Sequence, residues 1–188
     1  MNILIENGRV IDPKNAVDRN NCPLYIADGR IAGVGVAPDG FVAEQTIDAT
    51  GCVVCPGLID LGARLNSIEA ELAAAVAGGV TSVVVPPDAD PPLDEPELAD
   101  RLVHRGKEIR KARVLPLGAL TLGLQGERLS ELAGLKKAGC VAFSQAKVPV
   151  VDTEALLRAL EYAATFDFQV FLHPQDHWLS RNGIAHEG

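Results

Sequence analysis

From about residue 53 onward, short apolar segments alternate with longer segments of helical pattern. The apolar segments are VVCPGLIDL, VTSVVVPP, RVLPLGAL, CVAFS and FQVFLH, and the segments between them are rich in alanine, leucine and charged residues. Strands begin about every 25 to 32 residues, which is the length of one strand, one helix and their loops. This alternation predicts parallel strands joined by helical crossovers, and therefore an α/β protein.

Five such units fit between residue 53 and the end of the 188-residue chain. The first segment is expected to form a buried strand, Gly78 to end the first helix, and Asp94 to cap a second helix that has Pro96 in its first turn. A (β/α)8 barrel needs eight units and about 250 residues. The length is therefore compatible with an open doubly wound sheet or with part of a barrel.

Residues 1–52 have a different pattern, with short β-like runs separated by Asn-Gly, Asp-Gly and proline-containing turns. Such dipeptides between apolar runs are typical of β-hairpins. We therefore predict a small β module at 1–52, followed by the α/β part at 53–188.

Composition limits the possible functions. Apolar residues make up 47% of the chain and aromatic residues only 4%, which favours a core of Ala, Val, Leu and Ile. The formal net charge of −8 argues against binding to nucleic acid or to anionic membranes. The sequence has neither a membrane-spanning apolar run nor a secretory signal, so we expect a cytoplasmic protein.

The four cysteines do not have the spacing of a disulfide framework. Cys52 and Cys55 form a lone C-x-x-C inside a strand-like run, with neither a following helix nor a second ligand pair. We therefore interpret them as small buried thiols.

Polar residues follow the predicted strands, at the end where α/β proteins usually have their active sites. The candidates are Asp60, Gly62, Arg64, Asn66, Asp88, Ser144, Gln145, Lys147, His173, Asp176 and His177. A metal site needs three or four converging ligands. Only His173, Asp176 and His177 form a possible group, and because all three follow one strand, a structural His–Asp pair is the simpler interpretation.

Several segments, in order, resemble the dihydroorotases of the amidohydrolase superfamily. They are GRVIDP, DGRIAGVG, IDATGCVVCPGLID, AGGVTSVVVPPDADPPLD, GCVAFS and HPQD…HEG. The similarity covers essentially the whole chain. It implies a partial (β/α)8 barrel of about five βα units, preceded by a small β-sandwich, in a protein of roughly twice this length.

Active dihydroorotases bind one or two zinc ions and cyclise carbamoyl-aspartate to dihydroorotate. Their first barrel strand ends in D-x-H-x-H-x-R, where the histidines bind metal and the arginine holds the substrate carboxylate. Those three places are occupied here by Gly62, Arg64 and Asn66. A fixed guanidinium at Arg64 would repel Zn²⁺.

Later motif positions also differ. Asp88 stands where active members have an asparagine that contacts the substrate carboxylate, and Gln145 begins the tripeptide that replaces their D-D-G. Only His173 matches a metal-ligand position of the family. The resemblance therefore implies vestigial substrate or metal positions at Gly62, Arg64, Asn66, Asp88, Gln145 and His173.

These losses resemble the non-catalytic dihydroorotase-like subunits that assemble with aspartate carbamoyltransferase in some bacteria. The resemblance implies a scaffold protein of pyrimidine biosynthesis that has no catalytic residues and no cofactor. Its partner would be the catalytic subunit of aspartate carbamoyltransferase, within an oligomer.

Two alternatives remain open. An active zinc-dependent dihydroorotase would need an altered metal site built from His173, Asp176 and residues beyond Gly188. The second alternative is a complete open α/β binding module, although the matched fold requires more strands than this chain supplies.

Overall fold

The computed structural model describes residues 1–179. Contacts divide the chain into two compact units, Met1–Gly57 and a second unit that begins at Leu58. The division follows Gly57 rather than residue 52 because the strand Val53–Val54 pairs with Arg9 and Val10 of the first unit.

The first unit consists of seven short strands in two sheets. The strands are β1 (Ile3–Glu6), β2 (Arg9–Asp12), β3 (Val17–Arg19), β4 (Leu24–Ala27), β5 (Arg30–Val34), β6 (Gln45–Asp48) and β7 (Val53–Val54). One sheet has the order β5-β4-β1-β6 and the other β3-β2-β7. The Asp28-Gly29 turn joins β4 to β5 with positive φ at both residues, as the sequence predicts for a two-residue hairpin.

The second unit alternates strands and helices. Its elements are β8 (Leu58–Asp60), α1 (Ile68–Ala77), β9 (Val80–Val85), α2 (Pro96–Ile109), β10 (Arg113–Ala119), α3 (Leu132–Lys137), β11 (Ala142–Ser144), α4 (Thr153–Thr165) and β12 (Val170–Phe171). The strands form one sheet in the order β12-β11-β10-β9-β8, and every neighbouring pair is parallel. Within residues 1–179, the helices are too short or too polar to cross a lipid bilayer.

Local sequence signals define several helix ends. Asp152 caps α4, since its Oδ1 accepts hydrogen bonds from the backbone N–H groups of Glu154 (2.8 Å) and Ala155 (3.2 Å). Gly78 ends α1 as predicted. The predicted cap of α2 was wrong: Glu95 occupies that position, and Asp94 Oδ2 instead accepts from the N–H of Gly123 at 2.6 Å.

The main core lies between the sheet and the helices α2 to α4. Its fully buried members are Ala99, Leu120, Leu132, Leu135, Cys140, Phe143 and Ala159. Helix α4 buries Ala155, Ala159 and Ala163 at i, i+4 and i+8 spacing, and Ala159 belongs to this core. Small side chains let the helix approach the sheet closely, which agrees with the alanine-rich, aromatic-poor core expected from composition.

The first strand of the second unit is not buried within the described residues, contrary to the sequence prediction. Leu58 and Ile59 are 58% and 59% exposed, and Phe171 at the opposite edge is 49% exposed. Both β8 and β12 are edge strands with a single neighbour in the described sheet. A continuous apolar run identifies a strand but does not specify its place in the sheet.

The interpretation of Cys52 and Cys55 as buried thiols was also wrong. Both are exposed, whereas Cys22 and Cys140 are buried, and all four are free. Cys52 and Cys55 flank β7, a two-residue edge strand that provides little cover.

Native-state alkylation should separate these two classes of thiol. Burial raises the pKa of Cys140 to about 12, so its thiol stays neutral and unreactive near pH 8. We expect iodoacetamide to modify Cys52 and Cys55 long before Cys22 and Cys140, as measured by peptide mass spectrometry. Equal labelling of all four in the folded protein would contradict this arrangement.

Candidate functional site

The carboxyl ends of β8 to β12 meet at one edge of the sheet, as they must in a parallel arrangement. A cleft of about 280 Å³ lies there. Its apolar side chains are Leu61, Pro86, Leu117, Ala146, Phe171 and Leu172, and its polar side chains are Ser144, Lys147 and His173. The cleft is therefore mainly apolar, with few groups able to act chemically.

Arg64 and Asp88 form an ion pair at the same edge. Arg64 follows β8, Asp88 follows β9, and the guanidinium donates to Asp88 Oδ2 from Nη2 at 2.6 Å and from Nε at 3.2 Å. The side chains are 47% and 27% exposed. Asp88 Oδ1 is buried without a hydrogen-bond partner in the part of the chain that the structure describes. The two residues thus partly neutralise each other.

The end of β8 has a local hydrogen-bonded turn. Asp60 Oδ1 accepts from the backbone N–H of Gly62 at 2.9 Å. Gly62 and Asn66 are exposed, and a Cβ added at Gly62 would meet no atom within 4 Å. The glycine is therefore not needed for packing, and a larger side chain would fit at this position.

Gln145 lies in a buried polar network rather than on the wall of the cleft. Its Oε1 accepts from the hydroxyl of Thr121 at 3.0 Å, and its Nε2 donates to the carbonyl of Leu124 at 2.8 Å. Thr121 Oγ1 in turn accepts from the N–H of Gly126 at 2.9 Å. Sequence reasoning missed Thr121, because a threonine after a strand gives no signal until its partner, 24 residues away, is known.

His173 is exposed on the rim of the cleft. Asp176 does not join it in a described metal cluster; its Oδ1 accepts from the N–H groups of Trp178 and Leu179, both at 2.8 Å. The ring of His177 packs edge-on against Trp178, with centroids 4.9 Å apart. The HEG motif at 186–188 lies outside the described residues.

The described residues do not form a zinc site. Among them, no group of three or more His, Cys, Asp or Glu side chains is placed to hold a metal ion. At the end of β8, Gly62 and Arg64 stand at the two positions where the family resemblance expects zinc-binding imidazoles. The donor set between residues 1 and 179 therefore does not fit zinc.

Comparison with solved structures shows the class of fold. The chain superposes on an L-hydantoinase from Arthrobacter aurescens with a TM-score of 0.75 at 18% identity, covering 96% of this chain and 42% of that one. A D-hydantoinase gives 0.64 at 22% identity, with 98% and 43% covered. The shared fold confirms the predicted partial (β/α)8 barrel of about five βα units, preceded by a small β-sandwich.

The family match is more specific than the shared fold. Residues 51–188 match the family described as Dihydro-orotase-like. The chain belongs to the dihydroorotase-like family.

The curated relatives carry two kinds of name. A dihydroorotase-like protein of Pseudomonas putida is 47% identical, and a dihydroorotase of Pelobacter propionicus is 40% identical. Each match covers 100% of this chain and 46% of the relative. The chain thus spans about half the length of these relatives.

Proposed function

We propose that this protein is a non-catalytic dihydroorotase-like subunit of cytoplasmic pyrimidine biosynthesis. Its role would be that of a scaffold for the catalytic subunit of aspartate carbamoyltransferase. In this proposal the barrel is retained for its surface and its rigidity, and the cleft performs no hydrolysis.

The Arg64–Asp88 ion pair is the observation that carries the proposal. Arg64 stands at a position where the family resemblance expects a zinc-binding histidine, and Asp88 where it expects an asparagine that contacts the substrate. A carboxylate at position 88 would repel the substrate carboxylate, and a guanidinium at position 64 would repel the metal. Because the two side chains bind each other, each offsets the charge that the other introduces.

An active zinc-dependent dihydroorotase is the second candidate. Relatives at 40% and 41% identity are named dihydroorotase, and His173 lies on the cleft rim. This function would require zinc ligands beyond the described residues, together with His173. The two candidates therefore differ in whether the full-length protein holds zinc through His173.

Metal analysis of the full-length protein tests the proposal. After expression with added zinc and extensive dialysis, we expect no stoichiometric zinc and no cyclisation of carbamoyl-aspartate. The His173→Ala variant should match the wild type in both measurements, because no metal depends on that imidazole. Stoichiometric zinc that is lost in His173→Ala, together with cyclisation that a chelator abolishes, would instead establish the active enzyme.

The scaffold role needs a separate measurement. Sedimentation of the full-length protein mixed with aspartate carbamoyltransferase from the same source should give one complex larger than either component. The His173→Ala variant should form the same complex, since assembly would not use the cleft. Independent sedimentation of the two proteins would reject the scaffold role while leaving the zinc result unaffected.

A further inference from the structure

One stretch of the second unit has a charge opposite to that of the chain as a whole. Residues 101–113, RLVHRGKEIRKAR, contain six of the chain's 17 lysines and arginines and a single acidic residue, Glu108. The whole chain has a net charge of −8. This stretch covers the second half of α2 and the beginning of β10.

Four of these cations surround one groove, which we call the basic groove. They are Lys107, Arg110, Lys111 and Arg113. The groove has a volume of about 290 Å³, and its other lining includes Thr81, Val103, Gly106 and Val114. All four cationic side chains belong to exposed residues, and none has an ion-pair partner within residues 1–179.

Close packing of α2 on β10 fixes the position of the groove. A Cβ at Gly106 would lie 2.6 Å from Val114 Cγ2, so only glycine permits this approach. Helix α2 also has both neighbouring helices in place: Arg105 contacts Glu69 of α1 at 3.8 Å, and α3 packs on the other side. The basic groove therefore does not result from an uncovered sheet edge.

Helix stability does not account for this cluster. Cations near a helix C-terminus complement the helix dipole, but the charge to be balanced is only about half a unit. Lys107 in the last turn of α2 lines the same groove as Arg110 and Lys111, which follow the helix, and like charges brought together in this way repel. By contrast, Arg105 in the same helix is paired with Glu108 at 3.1 Å. Within residues 1–179, acidic side chains pair with Arg105 and none pairs with the four groove cations.

We propose that the basic groove binds the polyphosphate group of a small metabolite. Guanidinium groups hold phosphate oxygens in bidentate fashion, and lysines add point charges. Four cations match a ligand with several negative charges better than a monoanion. The volume suits a compact polyphosphate, and the remainder of the metabolite would lie outside. The groove is at the start of β10, whereas the cleft is at the carboxyl ends of the strands, so this site is independent of the proposed function.

Calorimetric titration tests this site in the full-length protein at about 50 mM salt, where screening is moderate. The probes are inorganic phosphate, pyrophosphate, tripolyphosphate and ATP, with polyglutamate as a polyanion that carries no phosphate. Affinity should increase with the number of phosphates, and the variant Lys107→Gln/Lys111→Gln should bind tripolyphosphate at least about tenfold more weakly, from the loss of two charge-assisted contacts. If ATP binds more tightly than tripolyphosphate, the ligand is a nucleotide; if equally, the polyphosphate alone is recognised.

The control variant Arg128→Gln/Lys137→Gln removes the same charge from exposed positions outside the groove. It should alter tripolyphosphate affinity by less than about twofold, because distant exposed charges are screened. If the double groove variant unfolds, Arg113→Gln alone serves in its place, with a smaller expected loss. The proposal is overturned if the control variant loses as much affinity for tripolyphosphate as the groove variant, or if no probe shows saturable binding. It is also overturned if polyglutamate binds and tripolyphosphate does not, since that result would identify an acidic protein surface as the partner.

Discussion

Replacing Phe143 by alanine is expected to lower the free energy of unfolding by about 3 to 5 kcal/mol, the cost of a cavity in a well-packed core. Phe143 is 0% exposed and belongs to β11, at the centre of the cluster that holds α2, α3 and α4 on the sheet. Its ring packs against Phe168, with centroids 5.2 Å apart. A Cβ at Gly118 would lie 2.9 Å from the ring, so β10 has no side chain there that could fill the space.

Urea denaturation followed by the helical circular dichroism signal measures this effect, since all four described α-helices belong to the second unit. Phe166→Ala is the matched control, because that ring is 52% exposed although it stacks on Phe168. The control should cost less than about 1.5 kcal/mol, the value of an aromatic contact at the surface. Similar losses in both variants would show that Phe143 is not the centre of the core.

Replacing Gln145 by leucine should lower the free energy of unfolding by about 2 to 4 kcal/mol. The substitution keeps the side-chain size but leaves the Leu124 carbonyl and the Thr121 hydroxyl without their partner, at about 1 to 3 kcal/mol for each buried group. Gln145 is 1% exposed, so water does not readily replace the amide. The expected effect is on stability and on the order of the 121–126 loop.

Gln125→Leu is the matched control in the same loop. Gln125 donates to the Gly123 carbonyl at 2.9 Å, but the glutamine is exposed, so water can satisfy that carbonyl after the substitution. Its loss should stay below about 1 kcal/mol. If Gln145→Leu were as mild as this control, the residue would not have the structural role that its buried contacts indicate.

Sequence patterns were sufficient where the determining contacts are local. Asp152 caps α4 and the Asp28-Gly29 turn closes a hairpin, because in each case the interacting groups are only a few residues apart. Pattern was not sufficient at α3: the segment ERLSELAGLKKAG at 127–139 has a helical pattern throughout, but it is helical only over Leu132–Lys137. The residues before the helix instead bond back to the segment that follows β10: the N–H of Leu122 donates to the Arg128 carbonyl at 2.8 Å, and the N–H of Ser130 donates to the Leu120 carbonyl at 3.2 Å.

The sequence by itself determined the alternation of strands and helices, the β module before it, and the residue types at the strand ends, because periodicity and turn residues act over short distances. It also places a glycine at position 62 and an arginine at position 64, where the family resemblance expects histidines. Only the tertiary structure decided which of these side chains meet. The pairing of Arg64 with Asp88, 24 residues apart, and the burial of Gln145 against Thr121 depend on which strands lie side by side. Spacing along one chain does not contain that information, since parallel strands become neighbours only when the sheet forms.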